Sequence, residues 1–464
     1  MATVIGKKKK DNLLNRIIAW IHLWPSIVSG LILVFVCLTG TVIVYGDEIM
    51  DFTAGDAKYV KPQTTEKITV QQITKNLKKS YPGYTVSEYV FFKDPARSIR
   101  LRAFSAKPLM LSMIYMDPYT GKILKKDNSI YFFFTTAHLH AELLAGPIGH
   151  WIVAISTIIF VISCITGLVL WWPKKWNKAT RQASFTIKWK ARFKRFNYDL
   201  HNVYGFYSLI ICLVLGLTGL MIAFPGFMDF TIKTSGAQIA EMKEALPVID
   251  TTKESKDAVA FAYKVLSNEP QKESVSIWNF DQQKLGAFIF TSGNVGLKSI
   301  EKADITIYDR YTGEKLNIDP KYIKHEKTEN IIWQLHMGQW WGWIGKTSTF
   351  LAGVVATSLP ITGFLIWWGR RNKKEKSSLT SNNSFYLIFF RWLCAYCVSG
   401  DPASSPGILK IVASGDTIYI NHFAGKKRLG TILLIIVFEL ISLKVIPPAV
   451  TNSSLKVVFP FTEN

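Results

Sequence analysis

Acidic residues are scarce in this sequence, and so is charge of either sign. Only 19% of the residues are charged, and 33 acidic side chains stand against 55 basic ones, where an average soluble protein carries roughly 25% charged residues. With 49% hydrophobic and 13% aromatic residues, a disordered chain, a small secreted domain and a plain soluble enzyme are excluded. Cysteine is rare as well. Five in 464 residues exclude a disulfide-built scaffold, and no C-x-x-C-H is present for covalent c-type haem attachment. No G-x-G-x-x-G dinucleotide fingerprint lies between residues 12 and 372.

What is abundant is long apolar sequence. Four runs read as membrane spans: Ile17 to Tyr45, Trp151 to Trp172, His201 to Phe224 and Thr347 to Trp368. Each is near or above the roughly 20 residues that cross hydrocarbon. The pairs Trp171-Trp172 and Trp367-Trp368 close two of them, as expected of Trp at a membrane interface. The first run is too long for a signal peptide and no small-residue cleavage pattern follows it, so it reads as a retained anchor.

Basic residues concentrate at one set of span ends: Lys7 to Lys10 with Arg16, nine Lys/Arg and no acid between Lys174 and Arg195, and Arg370, Arg371, Lys373 and Lys374. Four crossings put all three groups on one side, which the positive-inside rule makes the cytoplasm. The net charge of +22 is then a topology signal and not a nucleic-acid footprint. The expected order is a cytoplasmic arm (1–16), span one (17–46), an outer domain (47–137), span two (138–172), a basic loop (173–197), span three (198–225), a second outer domain (226–332), span four (333–369) and a tail (370–464).

The chain repeats itself. The phrases Asp117-Pro-Tyr-Thr-Gly121 and Asp309-Arg-Tyr-Thr-Gly313 recur about 190 residues apart, each reading as a turn between strands. Ser87 to Phe92 and Ser98 to Phe104 have strand character. In the spans, His22 precedes Thr39-Gly40 by 17 residues, and His201 precedes Thr218-Gly219 by 17. His140 and His336 each precede a Thr-Gly pair (Thr166-Gly167, Thr362-Gly363) by 26 and a glycine (Gly149, Gly345) by nine. The expected architecture is an α-helical membrane protein: a four-span bundle of two repeats, each with an inserted α+β domain.

At about 1.5 Å per residue, His22 and His201 lie about 26 Å from their Thr-Gly pairs, at the cytoplasmic end. His140 and His336 start from the other face, about 39 Å from theirs if the helices run unbroken, with Pro147 against continuity. Four histidines thus form two pairs at two levels. Imidazole is the commonest nitrogen ligand for metals, and haem iron accepts one on each face. No carboxylate accompanies the pairs as a di-iron site requires, and two histidines fall short of a closed zinc site. A helix-end histidine at the interface is the ordinary alternative for any one of them; repetition at equal spacing favours ligation.

The phrases Trp20-Ile-His22-Leu-Trp24, Ala137-His-Leu-His140, Asp199-Leu-His201-Asn-Val-Tyr-Gly205 and Leu335-His336-Met-Gly338, with the two Asp…Gly turns, resemble the PepSY-associated transmembrane family. That family comprises iron-regulated inner-membrane proteins and includes ferric-siderophore reductases. The resemblance covers roughly residues 12–372. It implies PepSY-like periplasmic domains and a bacterial inner membrane, with the N-terminus cytoplasmic. It implies two b-type haems, one held by His22 and His201 and the other by His140 and His336. It implies electrons passed outward to a periplasmic ferric siderophore from a quinol or cytoplasmic donor. Two other classes stand beside it: a non-redox anchored protein binding peptide or peptidase, and a siderophore or metal permease. The near-absence of carboxylates in the spans speaks against the permease.

Other residues carry less. His150, whose repeat mate is Lys346, is a weaker candidate for an outer ligand or a propionate contact, as is Lys346. His138 has Gln334 as its mate and reads as structural. His325 and His422 have no context. Trp340, Trp341 and Trp343 read equally as a docking surface or an interfacial belt, and Arg310 as a residue steering an acidic ligand. Cys37, Cys164 and Cys212 read as small core residues. In the tail, Phe385 to Val398 and Leu429 to Pro447 are possible further spans, and Cys394-Ala-Tyr-Cys397 has redox-motif spacing without its strand–helix context.

Overall fold

The computed structural model describes residues 13–371 except 270, 279–284 and 297, together with 410–413 and 416–419. Four helices are long and apolar enough to cross a membrane: Leu13–Ile43, Gly146–Trp171, Phe193–Ala223 and Gln339–Arg371. This is a multi-pass helical membrane protein. The first span contains Pro25 and the fourth Pro360, and the third includes a π-helical turn, Leu200–Tyr204, that carries His201. Such turns are frequent at functional sites.

The spans enter from the sheet side differently from an unbroken helix. A helix Ser129–Glu142 carries His140 and stops. Leu143 and Leu144 both have positive φ, 53° and 56°, and the second span then begins at Gly146. The second repeat copies the break: helix Pro320–His336 ends on its histidine, and Gly338 turns the chain with φ +71°. The 39 Å separation therefore does not apply, because His140 and His336 sit on separate approach helices. The repeated glycines make the fold-back possible. A Cβ at Gly149 would lie 1.7 Å from the Glu142 carbonyl oxygen, and one at Gly345 2.4 Å from that of Gly338.

The outer segments do not form two separate sheets. The strands β1 (Tyr84–Phe92), β2 (Ile99–Ala106), β3 (Leu109–Met116) and β4 (Ile123–Asp127) come from the first segment. The second contributes β5 (Ser274–Trp278), β6 (Ala287–Val295) and β7 (Ile300–Asp309). They make one seven-stranded antiparallel sheet in the order β4-β3-β2-β1-β5-β6-β7. The halves meet where β1 pairs with β5, Tyr89 opposite Ile277. An unpaired edge on each half would expose a row of backbone donors and acceptors; pairing the two removes both. One apolar core spans the junction, with Tyr89, Phe91 and Leu101 from the first half and Val275, Phe288 and Phe290 from the second.

Repeat-related helices Val70–Ser80 and Ala258–Asn268 cover the sheet. They start from one carboxylate. Asp257 caps its own helix through Val259 and Ala260 and also accepts from the Val70 amide at 2.9 Å. The two Asp…Gly turns are superposable in chemistry. Asp117 Oδ1 accepts from the amides of Tyr119 and Thr120, and Asp309 Oδ1 from those of Tyr311 and Thr312. Gly121 and Gly313 complete them at φ +70° and +77°.

A buried ion pair lies in the sheet: Arg102 Nε is 3.2 Å from Glu88 Oε2, with Glu88 fully buried. Burial pushes the Glu88 carboxyl up from its usual range, and Arg102 opposes that shift. Replacing one partner leaves the other charged and buried, at a cost of about 3–5 kcal/mol. Glu88→Ala is therefore expected to lower the thermal unfolding midpoint of the sheet markedly. An unchanged midpoint by calorimetry in detergent would show that the pair contributes nothing.

In the tail, β8 (Lys410–Ala413) and β9 (Asp416–Tyr419) form an antiparallel hairpin. The two possible tail spans, His422 and the Cys394…Cys397 pair lie outside the described residues.

Candidate functional site

The four repeat-matched histidines meet in pairs across the two repeats. The rings of His22 and His201 have centroids 6.4 Å apart, and those of His140 and His336 6.1 Å. The first pair lies at the basic end of the bundle, where Lys194 of the loop reaches the Gly369 carbonyl at the end of span four. The second lies at the sheet end. His140 is seated against Thr39 and Gly40, and Thr39 is 17 residues along the first span from His22. The two levels are thus about 26 Å apart.

Each ring is seated on a Thr-Gly pair of the other span in its own repeat. The Nδ1 of His22 is 3.1 Å from the Ser163 carbonyl oxygen and 3.1 Å from Thr166 Oγ1. That of His140 is 2.8 Å from the Val36 carbonyl oxygen and 3.4 Å from Thr39 Oγ1. His201 Nδ1 meets Thr362 Oγ1 at 2.9 Å, and His336 Nδ1 meets Thr218 Oγ1 at 3.0 Å. The carbonyls of Leu359 and Leu215 also bond these last two rings.

This network settles which ring nitrogen carries the proton. A carbonyl can only accept. The threonine hydroxyls spend their own protons on the carbonyl one turn back: Thr39 on Phe35, Thr166 on Ile162, Thr218 on Val214 and Thr362 on Ser358. Nδ1 must therefore be the N–H donor in all four rings, and Nε2 keeps its lone pair. A histidine whose Nδ1–H donates to a fixed carbonyl is the arrangement that orients and strengthens a metal ligand.

The glycines supply the room. A Cβ at Gly40 would lie 2.8 Å from His140 Cε1. At Gly167, Gly219 and Gly363 it would lie 3.1 Å from the Cε1 of His22, His336 and His201. The Thr-Gly pairs serve in the sequence as spacing marks of the duplication. Their role as histidine seats, and that of Ser163, becomes visible only when the helices cross. The recurrence of Thr-Gly at fixed intervals was the available signal.

The other candidates are elsewhere. The His150 ring packs against Trp151 and Phe224, and Lys346 is buried against Asp47 and Glu48. His138 pairs with Glu142 at 2.6 Å. His325 is buried and its Nδ1 bonds the Gln238 carbonyl at 2.8 Å. Arg310 does not face solvent to steer a ligand: it is buried, donating to Ser255 Oγ and the Leu285 carbonyl. Trp340, Trp341 and Trp343 stand exposed at the start of span four. Cys37, Cys164 and Cys212 gather around Ala352 and Ala356 as part of the bundle core. Among the described residues no group of three His, Cys, Asp or Glu side chains is placed to hold a metal ion.

None of the curated proteins matches the chain. The model of the PepSY-associated TM region matches residues 19–370, which takes in the seven-stranded sheet, both histidine pairs and all four spans except the first six residues of span one and the last residue of span four, so the chain belongs to the PepSY-associated TM region family.

Proposed function

We propose that this protein is a haem-bearing membrane reductase that carries electrons from the cytoplasmic side to ferric siderophore in the periplasm. The observation that supports this most is the two facing imidazole pairs, each ring with Nδ1 spent on the opposing span and Nε2 free to bind metal. Two imidazoles are too few for a closed protein metal site, and no third donor joins either pair among the described residues. The missing ligands have to come from a non-protein group that fits between two parallel-acting imidazoles. Two metal–imidazole bonds of about 2.0 Å plus the ring radii place the centroids about 6 Å apart, which agrees with 6.4 and 6.1 Å. Haem b meets both requirements.

When bound, haem supplies a one-electron carrier at each level of the membrane. His22 and His201 would hold the one at the basic end, His140 and His336 the one at the sheet end. The chain's own work is to keep these imidazoles in one tautomer and orientation, and to keep bulk water away by enclosing them between spans. No acid or base is needed, since ferric iron held by hard oxygen donors is loosened by reduction alone. The basic ends face the cytoplasm of a bacterial inner membrane, where a quinol or a flavoprotein would be the donor.

The test is the absorption spectrum of the purified chain with haem quantitation, followed by anaerobic mixing of the reduced protein with a ferric siderophore. About two b-type haems per chain and their reoxidation by the chelate are expected. Colourless protein would remove the reading in favour of a non-redox PepSY protein; chelate accumulation in vesicles without redox change would favour a permease.

A further inference from the structure

The helix that ends on His336 carries a row of further chemistry on the same side. His325, Glu329, Trp333 and His336 fall within about 80° of one another around a helix of 3.6 residues per turn, so they share one face of Pro320–His336. The first three line an open crevice of about 260 Å³ between this helix and the end of the third span. Its other walls include Ile222, Pro225, Met228, Ile232 and Ile239. Ile222 lies in the last turn of the third span, and Gly219, three residues before it, seats His336. The crevice therefore opens at the outer edge of the membrane. Trp333 lies one turn, about 4.5 Å along the axis, from His336.

Its shape is held by bonds that do not involve the histidine pairs. Ser235 Oγ and Thr328 Oγ1 are 3.2 Å apart, and the Gln238 amide donates to the Lys321 carbonyl at 3.2 Å. His325 Nδ1 donates to the Gln238 carbonyl at 2.8 Å. Together they pin helix Pro225–Thr234 and the loop after it to the His336 helix. With Nδ1 spent as a donor, Nε2 of the neutral ring is an acceptor. The remaining ionisable side chains are Asp229, Glu241 and Glu329, and no lysine or arginine stands among the described lining residues. Such a lining repels an anion. A metal ion finds no group of three His, Cys, Asp or Glu side chains placed to hold it among the described residues. What fits is an uncharged molecule with an apolar body that arrives through the bilayer and donates hydrogen bonds. The volume, below that of pockets which engulf a drug-sized ligand, takes one ring and leaves a tail in lipid.

We propose that this crevice binds a membrane quinol and is a second point of electron entry, feeding the sheet-end level directly. Both quinol O–H bonds break, and the ring is oxidised to the quinone. The protons pass to His325 Nε2 and to the Glu329 carboxylate, which lie one turn apart on the same helix face. Burial, with Glu329 beside it, pushes the neighbouring Glu326 carboxyl up, so this group can hold a proton on its way to the outer solution. The two electrons leave singly. Each reduces ferric haem between His140 and His336 to the ferrous form, and the second follows once the first has moved on to the basic-end level or to the ferric chelate. A two-electron donor thereby serves a one-electron acceptor. The redox step rests on the haem reading; binding of the quinol head does not.

The probes are decylubiquinol as electron donor and heptyl-hydroxyquinoline N-oxide as a fluorescent quinol analogue. Both are added to the full haem-loaded chain in detergent. Binding is read by fluorescence quenching, and haem reduction by anaerobic stopped-flow absorption. Met228→Trp, which fills the crevice away from the histidines, is expected to weaken analogue binding and to slow reduction by decylubiquinol, each by about tenfold or more. Glu329→Gln keeps a hydrogen-bond acceptor but loses the base, so it is expected to slow reduction by about a hundredfold and to weaken binding far less. Haem content and reduction by dithionite stay at the parent level in Met228→Trp. His336→Ala, which keeps only the basic-end pair, is expected to lose rapid reduction by decylubiquinol while dithionite still reduces its remaining haem. Parent-like binding and rate in Met228→Trp overturn the site, and a parent-like rate in Glu329→Gln overturns its role as base. Rapid reduction in His336→Ala places quinol entry at the basic end and overturns the proposal. Haem-loaded protein that neither binds the analogue nor takes electrons from decylubiquinol ends the inference and leaves the haem reading intact. Haem-free protein that binds the analogue, with binding lost in Met228→Trp, ends the haem reading and the electron step and leaves the crevice as the binding site.

Discussion

His336→Ala is expected to halve the haem content by emptying the sheet end, and His22→Ala to halve it by emptying the basic end. The pairs are independent in the structure: each ring leans on its own Thr-Gly seat and its own partner, and about 26 Å of the first span separates them. Removing His336 leaves His140, still tied to the Val36 carbonyl, as the one imidazole at the sheet end, where two would be needed to hold the group. The basic-end pair, with His201 on Thr362 and His22 on Thr166 and Ser163, loses nothing. The readouts are pyridine haemochrome quantitation and the reduced-minus-oxidised spectrum. Each single variant should retain about one haem with a paired-axial spectrum, and His22→Ala with His336→Ala together should retain almost none. If both singles keep the parent content, these imidazoles are not the ligands. His150→Ala is the control, since its ring packs on Trp151 and Phe224, and it should keep two.

Much of this arrangement was legible in the chain because it is written in local periodicities. Spans show as apolar length, and the pairing of His22 with His201 and His140 with His336 as equal spacing in two copies. What stayed hidden is non-local. That β1 would pair with β5 to join two half-sheets depends on two edges meeting across the duplication, and no residue pattern in Tyr84–Phe92 or Ser274–Trp278 announces it. The break before the second span uses Leu143 and Leu144 at positive φ, residues that carry no turn signal of their own; Pro147 spoke against an unbroken helix, and Gly149, nine residues past His140, marked a close approach, but neither placed the break. Arg310 was legible as a charged hairpin residue, but its direction was not, because inward or outward differs by one step of strand alternation.

Gly40→Ala and Gly40→Val carry the second large effect, and its sign separates a histidine seat from a simple helix position. In an ordinary helix interior, Gly→Ala is stabilising by up to about 1 kcal/mol. Here a Cβ would stand 2.8 Å from Cε1 of His140, with Nδ1 at 3.1 Å, closer than carbon atoms pack. The imidazole has to retreat from the first span, and with it goes the bond from Nδ1 to the Val36 carbonyl that fixes the tautomer. The His140 ring then no longer holds its place opposite His336, whose ring centre lies 6.1 Å away in the parent. The expected series is graded: Gly40→Ala weakens and shifts the spectrum of the sheet-end haem, and Gly40→Val loses it. Gly363→Ala, where the Cβ would be 3.1 Å from His201 Cε1, perturbs the basic-end haem more mildly. Gly369→Ala, with nothing within 4 Å of its Cβ, leaves both at parent content and raises helix stability slightly. Haem occupancy and spectra of the four variants, measured beside their thermal midpoints, decide the matter. Gly40→Val with full haem, an unshifted spectrum and a higher midpoint would mean that the glycine serves helix packing alone and that His140 does not need the seat.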